Sequence, residues 1–208
     1  MKDILLVDKP IGITSFDVIR ILRRQTGIRK MGHAGTLDPL ASGLMIIGIN
    51  QGTKKLTKFI GLSKVYEAEI LLGKKTTTGD LEGDVTEEKE VGNITKKQIE
   101  KVLKEITGKI ELPVPIYSAV KQKGQPLYKR VRKGESVKPP IKTMEIQWIK
   151  LKKFSKTTLS IELEVSSGTY IRSIAEEIGK RLNLPATLSD LKRTRIGNFS
   201  LAKARQLE

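Results

Sequence analysis

Strand-like runs follow one another directly in the second half of this sequence, where residues 143 to 153 and 158 to 165 are separated only by a short polar turn. Strands that come consecutively favour antiparallel pairing. Strands also outnumber helices along the chain. The sequence therefore predicts an α+β fold: a mixed, largely antiparallel central sheet with flanking helices, rather than a doubly wound parallel one. Further strands are expected at 3 to 7, 44 to 49, 65 to 72, 113 to 120 and 188 to 199. In the run from Val65, the residues Tyr66, Ala68, Ile70 and Leu72 share one face by the two-residue period. Two helices announce their starts with capping boxes, in which a side chain at each end satisfies a free backbone donor of the other. Thr14 with Asp17 precedes an apolar face of Phe16, Val18, Ile19, Ile21 and Leu22 that Gly27 ends. Thr95 with Gln98 precedes Ile99, Val102, Leu103 and Ile106. A third helix is expected from Tyr170 to Leu182, a short one from Thr53 to Phe59, and a charged surface loop from Lys74 to Gly92. With 208 residues and no internal repeat, one catalytic-size domain over 1–208 is expected.

Charge narrows the class of partner. Lys and Arg number 39 against 23 Asp and Glu, a net charge of +16, which points to a polyanion and first of all to nucleic acid. No apolar run has the length of a spanning helix and the N-terminus lacks a signal-peptide core, so no membrane is expected and the location reads as cytoplasmic. There is no Cys and one His, His33, which excludes disulfides, zinc knuckles and a Cys nucleophile and leaves no His-rich metal site. Chemistry must come from carboxylates, Tyr, Lys, Arg or hydroxyls. Aromatics make up only 4%, thin for a protein that stacks base after base, so shape and phosphate recognition fit better. Basic residues concentrate between 121 and 142, where Lys121, Lys123, Lys129, Arg130, Arg132, Lys133 and Lys138 alternate with Gly and Pro around Leu127, Tyr128 and Val131. This reads as a basic excursion from the sheet, mobile alone and ordered by RNA.

From Gly32 to Gly43 no period is visible, so this stretch is read as a loop. It runs Gly32-His33-Ala34-Gly35-Thr36-Leu37-Asp38-Pro39-Leu40-Ala41-Ser42-Gly43. Its glycines allow close backbone approach, and Pro39 restricts Asp38 to extended conformations, which holds a carboxylate in a fixed direction. On physics alone, a surface turn in which Asp38 bonds its own backbone accounts for the stretch as well.

Together with Lys9-Pro10, Gly12 and Thr14-Ser15, this loop closely resembles the two opening motifs of the TruB pseudouridine synthases. The likeness continues through Lys64-Val65-Tyr66, Tyr117-Ser118-Ala119-Val120-Lys121 and Ser167-Gly168-Thr169-Tyr170-Ile171-Arg172-Ser173, and so covers essentially the whole chain. The resemblance implies the pseudouridine synthase fold and conversion of a tRNA uridine, at T-loop position 55, to pseudouridine. Asp38 would be the nucleophile, at the base or at the ribose, with neither cofactor nor metal. It implies that Arg172 pairs with the catalytic Asp, that Tyr66 stacks on the flipped base and serves a proton transfer, and that Tyr170 and Leu191 line the uracil pocket. His33 would touch RNA near the vacated stack, and Lys9 would support the catalytic loop or contact a phosphate. The basic excursion, with Lys121, Lys123, Lys129, Arg130 and Arg132, matches the thumb insertion that closes over the T arm.

Each of these residues also has a plainer reading: a core tyrosine, a solvated helix-end arginine, a polar loop histidine, a charged surface loop. For Arg172 there is a physical requirement besides. It falls in the first turn of its helix, where the dipole disfavours a cation, so something nearby should compensate. The last catalytic motif, Leu191-Lys192-Arg193-Thr194, lies close to Glu208, so the C-terminal RNA-binding domain of most bacterial members is expected to be missing. The sequence leaves open a non-catalytic RNA-binding protein or chaperone on the same fold. The bacterial-style Pro39-Leu40-Ala41-Ser42-Gly43 speaks against the guide-RNA-dependent relatives, so no guide RNA or protein partner is expected. Only Asp38 among the acids sits in a special setting, which makes a metal-dependent nuclease a poor fit. A monomer is expected, since no self-complementary apolar patch is visible.

Overall fold

A computed structural model describes residues 3–207. Met1 and Lys2, on which part of the N-terminal reading rests, lie outside that range. In chain order, β1 (Ile4–Lys9), α1 (Ser15–Thr26), β2 (Met31–His33) and β3 (Ser42–Ile49) come first, and a 3-10 turn at Asn50–Lys55 runs into α2 (Leu56–Ile60). β4 (Lys64–Leu72), β5 (Lys74–Thr76), β6 (Val85–Glu88), α3 (Lys96–Glu105) and β7 (Gly108–Pro113) follow. The basic excursion holds β8 (Lys121–Gln122), β9 (Gln125–Pro126) and α4 (Leu127–Arg132). The chain closes with β10 (Ile141–Phe154), β11 (Thr158–Val165), α5 (Ile171–Arg181), β12 (Ala186–Ile196), β13 (Phe199–Ser200) and β14 (Arg205–Gln206). Among the described residues no helix is long and apolar enough to cross a membrane.

The chain forms two compact units, one of Met1–Glu67, Glu162–Ser167 and Asp190–Glu208, the other of Ala68–Ile161 and Gly168–Ser189; β4, β11 and β12 contribute residues to both. In the first unit the strand order is β14-β1-β3-β12. β1 lies antiparallel to β3, with Ile4 opposite Gly48 and Lys9 opposite Gly43, while β3 with β12 and β1 with β14 are parallel. Apolar side chains close this unit's core around Ala34, Leu44, Ile46, Leu56 and Ile196. At its margin Phe59 meets Phe199 edge-on, with ring centroids 5.4 Å apart. Gly43 is required where β3 passes β12, because any Cβ there would strike the backbone of Arg193, and its φ of +103° suits only glycine.

In the second unit the order is β12-β4-β11-β10-β7. β10 and β7 are antiparallel, with Ile141 opposite Pro113 and Ile146 opposite Gly108. α3 packs on β10 and α5, and α5 packs on β7. The two-residue period is visible in β4, where Tyr66, Ala68, Ile70 and Leu72 are all buried, and in β11, where Leu159, Ile161, Leu163 and Val165 are. The mixed, largely antiparallel α+β arrangement is the one the sequence predicts.

Local expectations hold where a side chain enforces them. Both capping boxes form, with Thr14 and Asp17 closing the start of α1 and Thr95 and Gln98 that of α3, and Gly27 ends α1 in the left-handed conformation. Four expectations need correction. Residues 114–120 are irregular, because the strand predicted at Pro113 to Val120 lies earlier, in β7, where Ile110 and Leu112 alternate with charges and hide the pattern. The segment 74–92 is not wholly loop, since β5 and β6 pair as a hairpin whose charged residues, Lys74 against Glu88 among them, conceal it. Of the stretch Gly32 to Gly43 only 34–41 is loop, its ends belonging to β2 and β3. Phe16 is 49% exposed rather than part of the buried face of α1, with the guanidinium groups of Arg20 and Arg23 over its ring at 5.0 and 5.8 Å.

Candidate active site

In the first unit, Asp38 sits partly exposed on the loop between β2 and β3. Its neighbours are tied down. Leu37, only 3% exposed, donates its N–H to Ser15 Oγ at 2.8 Å and accepts from the same hydroxyl at 3.0 Å. The Pro39 carbonyl accepts from the Gly12 N–H at 2.8 Å and from Lys9 Nζ at 3.4 Å. Lys9 is fully buried, so its ammonium serves this loop, donating also to the Pro10 carbonyl at 2.8 Å. Farther along, the Ala41 N–H closes a turn on the Asp38 carbonyl at 3.1 Å. From β12, the buried Arg193 donates to the carbonyls of Gly35 at 3.1 Å and Leu44 at 2.8 Å, bracketing the loop from below. Sequence reasoning places Ser15 and Arg193 within motifs but gives neither a role. Ser15 reads as an ordinary first residue of a helix and Arg193 as one more basic residue in a basic chain.

His33 lies in β2 and is partly buried. Burial, and after it the positive charge of Arg193, pull its pKa below the usual value, so the ring is neutral at pH 7. Tyr66 and Leu191 are each 8% exposed, on β4 and β12. Lys64, two residues before Tyr66 on the same face of β4, is buried, and its ammonium donates to the carbonyls of Ile60 and Leu62 at 2.5 and 2.6 Å and to Ser167 Oγ at 3.3 Å. Burial and the charge of Arg193 lower its pKa from 10.5 to about 8. A lysine depressed in the folded state binds fewer protons there than when unfolded. Its penalty is fully present below about pH 8 and fades as pH rises toward 10.5. The wild type should therefore gain stability relative to Lys64→Met across that window, measured by urea unfolding at several pH values; a constant difference would contradict the depressed pKa.

In the second unit, Tyr170 is the residue before α5, and its N–H points to the sulfur of Met144 at 3.4 Å. Arg172 is 6% exposed. Its guanidinium donates to the Thr78 carbonyl at 2.8 Å and the Tyr117 carbonyl at 3.0 Å, and lies 3.5 Å from the carboxylate of Asp80. Asp80, 2% exposed, is the compensating charge that a cation at a helix N-terminus requires. Its other oxygen accepts from Thr78 Oγ1 at 2.5 Å and the Glu82 N–H at 3.1 Å. The sequence announced the need for such an acid but not its position, because Asp80 lies in a charged segment read as surface loop. A cavity of about 490 Å³ in this unit is lined by Arg172, Glu176, Lys75, Thr78 and Tyr117 among others. Burial raises the Glu176 carboxyl above its usual pKa, against the opposing charges of Lys75 and Arg172.

The basic insertion, also in this unit, contains a short hairpin and a helical turn. Lys123 and Gly124, both with positive φ, form the tight turn between β8 and β9, and Leu127 anchors α4 with no exposure. Lys121, Lys123, Lys129 and Arg132 point to solvent. Arg130 is engaged within the insertion, by Glu135 at 2.7 Å and Gln122 at 2.7 Å.

Comparison with known proteins fits this geometry. The family model described as TruB family pseudouridylate synthase, N-terminal domain, matches residues 23–171. A protein of Paenarthrobacter aurescens named tRNA pseudouridine synthase B is 40% identical over all of this chain and 69% of its own length. One of the same name from Geobacillus thermodenitrificans is 41% identical over all of this chain and 71% of its own. Among solved structures, a chain of a Cbf5-Nop10-Gar1 complex superposes with a TM-score of 0.78 at 27% identity, covering 99% of this chain and 52% of that one. A chain from an H/ACA RNP bound to a substrate RNA shares the fold with a TM-score of 0.74. By the family model and by 40% identity over its whole length, this chain belongs to the TruB family of pseudouridylate synthases.

Proposed function

We propose that this protein isomerises a uridine of tRNA to pseudouridine, with Asp38 as the nucleophile and the T-loop uridine at position 55 as the target. The observation that carries this reading is the carboxylate of Asp38, whose neighbours on both sides are held by hydrogen bonds, in a chain about 40% identical throughout to proteins named tRNA pseudouridine synthase B. The reaction needs little else. Attack by Asp38 at the base or at the ribose leads to cleavage of the bond between ribose C1′ and N1. The detached base turns, C5 bonds to C1′, the bond to Asp38 breaks to return the carboxylate, the C5 proton leaves, and N1 takes up a proton. Atoms and electrons balance without a redox partner, in keeping with a carboxylate that divides one hard step into easier ones. The target must leave the stack to reach such a residue, at a cost of a few kcal/mol.

The other residues take parts that suit their settings. Tyr66 stacks on the flipped base and serves the proton transfer at C5, Arg172 supplies positive charge, and Tyr170 and Leu191 line the uracil site. The neutral ring of His33 fills part of the gap the base leaves. The solvent-facing cations of the insertion, Lys121, Lys123, Lys129 and Arg132, hold T-arm phosphates, and Arg130 shapes the insertion that presents them. The protein works in the cytoplasm as a monomer, without guide RNA or partner proteins. Carbodiimide mapping of unmodified tRNA treated with the purified protein alone should show one new primer-extension stop, at the T-loop uridine. A stop elsewhere would change the assigned target. No stop, with tRNA bound, would favour the RNA-binding reading.

A further inference from the structure

We infer that Ser15 is a positioning residue for the nucleophile, and that its hydroxyl sets the direction of Asp38 by clamping the peptide of Leu37. This deepens the reading of Asp38 as nucleophile and rests on it. The argument begins with how little freedom the loop retains. Ser15 is 2% exposed at the first position of α1, where Thr14, as the N-cap, accepts from the Asp17 N–H and fixes the helix start. From that fixed point the Ser15 hydroxyl acts twice on one residue, accepting from the Leu37 N–H at 2.8 Å and donating to the Leu37 carbonyl at 3.0 Å. Both backbone polar groups of the residue before Asp38 are thereby held by one side chain, while the Leu37 side chain is itself buried. On the other side, the Pro39 ring fixes φ and its carbonyl is held by Gly12 and Lys9.

With both flanking residues fixed, the Cα–Cβ direction of Asp38 is fixed too, and only its side-chain rotamers remain. Three anchors, Lys9, Gly12 and Ser15, come from one short segment, so the two opening sequence motifs act as one device: the first is the clamp, the second the loop it holds. Ser15 differs from Lys9 in that it braces the loop with a neutral hydroxyl and leaves the charge around the carboxylate unaltered. Its removal therefore tests geometry alone. A reacting group displaced by about 1 Å loses on the order of 100-fold in rate.

The test is the single-turnover rate with protein in saturating excess over tritium-labelled tRNA for wild type, Ser15→Ala and Asp38→Asn, alongside tRNA Kd and thermal melting of each. Single turnover on bound substrate is insensitive to how much protein is folded, so a merely structural serine would move the melting temperature and leave the rate. The expected result for Ser15→Ala is a rate lower by about 100-fold with Kd within about twofold of wild type. A wild-type rate in Ser15→Ala overturns the inference, whether or not the variant melts earlier, and so does a rate that falls only in step with weakened tRNA binding. If Asp38→Asn retains activity, it is the assignment of the nucleophile that fails, and the two failures are thus distinguished.

Discussion

Asp38→Asn is expected to bind tRNA as the wild type does and to lose turnover by a factor on the order of 10⁴ or more. The amide keeps the shape of the side chain and can still be held where the carboxylate was. Leu37 and Pro39 are held by Ser15, Gly12 and Lys9, which the substitution leaves in place, so the loop should keep its path. What is lost is the negative charge and nucleophilic oxygen. The check is a pair of measurements on the same preparation, tRNA affinity by filter binding and turnover under single-turnover conditions. A variant that loses affinity in parallel with rate would place Asp38 in binding.

Asp80→Ala carries the largest expected effect on stability. Asp80 and Arg172 are 2% and 6% exposed and 3.5 Å apart. Removing the acid alone takes the Asp80 counter-charge from a buried guanidinium and a side-chain acceptor from the Thr78 hydroxyl and the Glu82 N–H. Breaking a buried pair from one side costs about 3–5 kcal/mol, whereas removing both charges can be close to neutral. The double variant Asp80→Ala/Arg172→Met should accordingly regain part of the stability that Asp80→Ala loses in urea unfolding, while staying inactive. If the double variant is less stable than Asp80→Ala by the full cost of a second independent change, the two residues are not coupled as described.

Much of this architecture is legible in the sequence because local rules and the fold agree. Thr14 and Thr95 mark helix starts through hydrogen bonds made within four residues, and Gly27 marks a stop for the same reason. β4 and β11 show a clean two-residue period because one face is buried. β7 and the β5–β6 hairpin were missed because Lys and Glu fill their exposed positions, and charge there carries no period. The loop bearing Asp38 is conspicuous in sequence for its glycines and proline. The clamp around it is not, because Ser15 and Arg193 act over separations of 22 and 158 residues, and Asp80, the partner of Arg172, lies in a segment that looks like surface. A buried serine or arginine has the same letter as an exposed one. Its role appears only once folding brings its partner alongside.

The most direct test of the central claim is tritium release from tRNA labelled at C5 of uridine, since formation of a carbon glycosidic bond must expel that hydrogen. The purified protein should release one equivalent per tRNA, with or without EDTA. Binding of tRNA with no release above the Asp38→Asn background would contradict the account and leave an RNA-binding protein on a synthase fold.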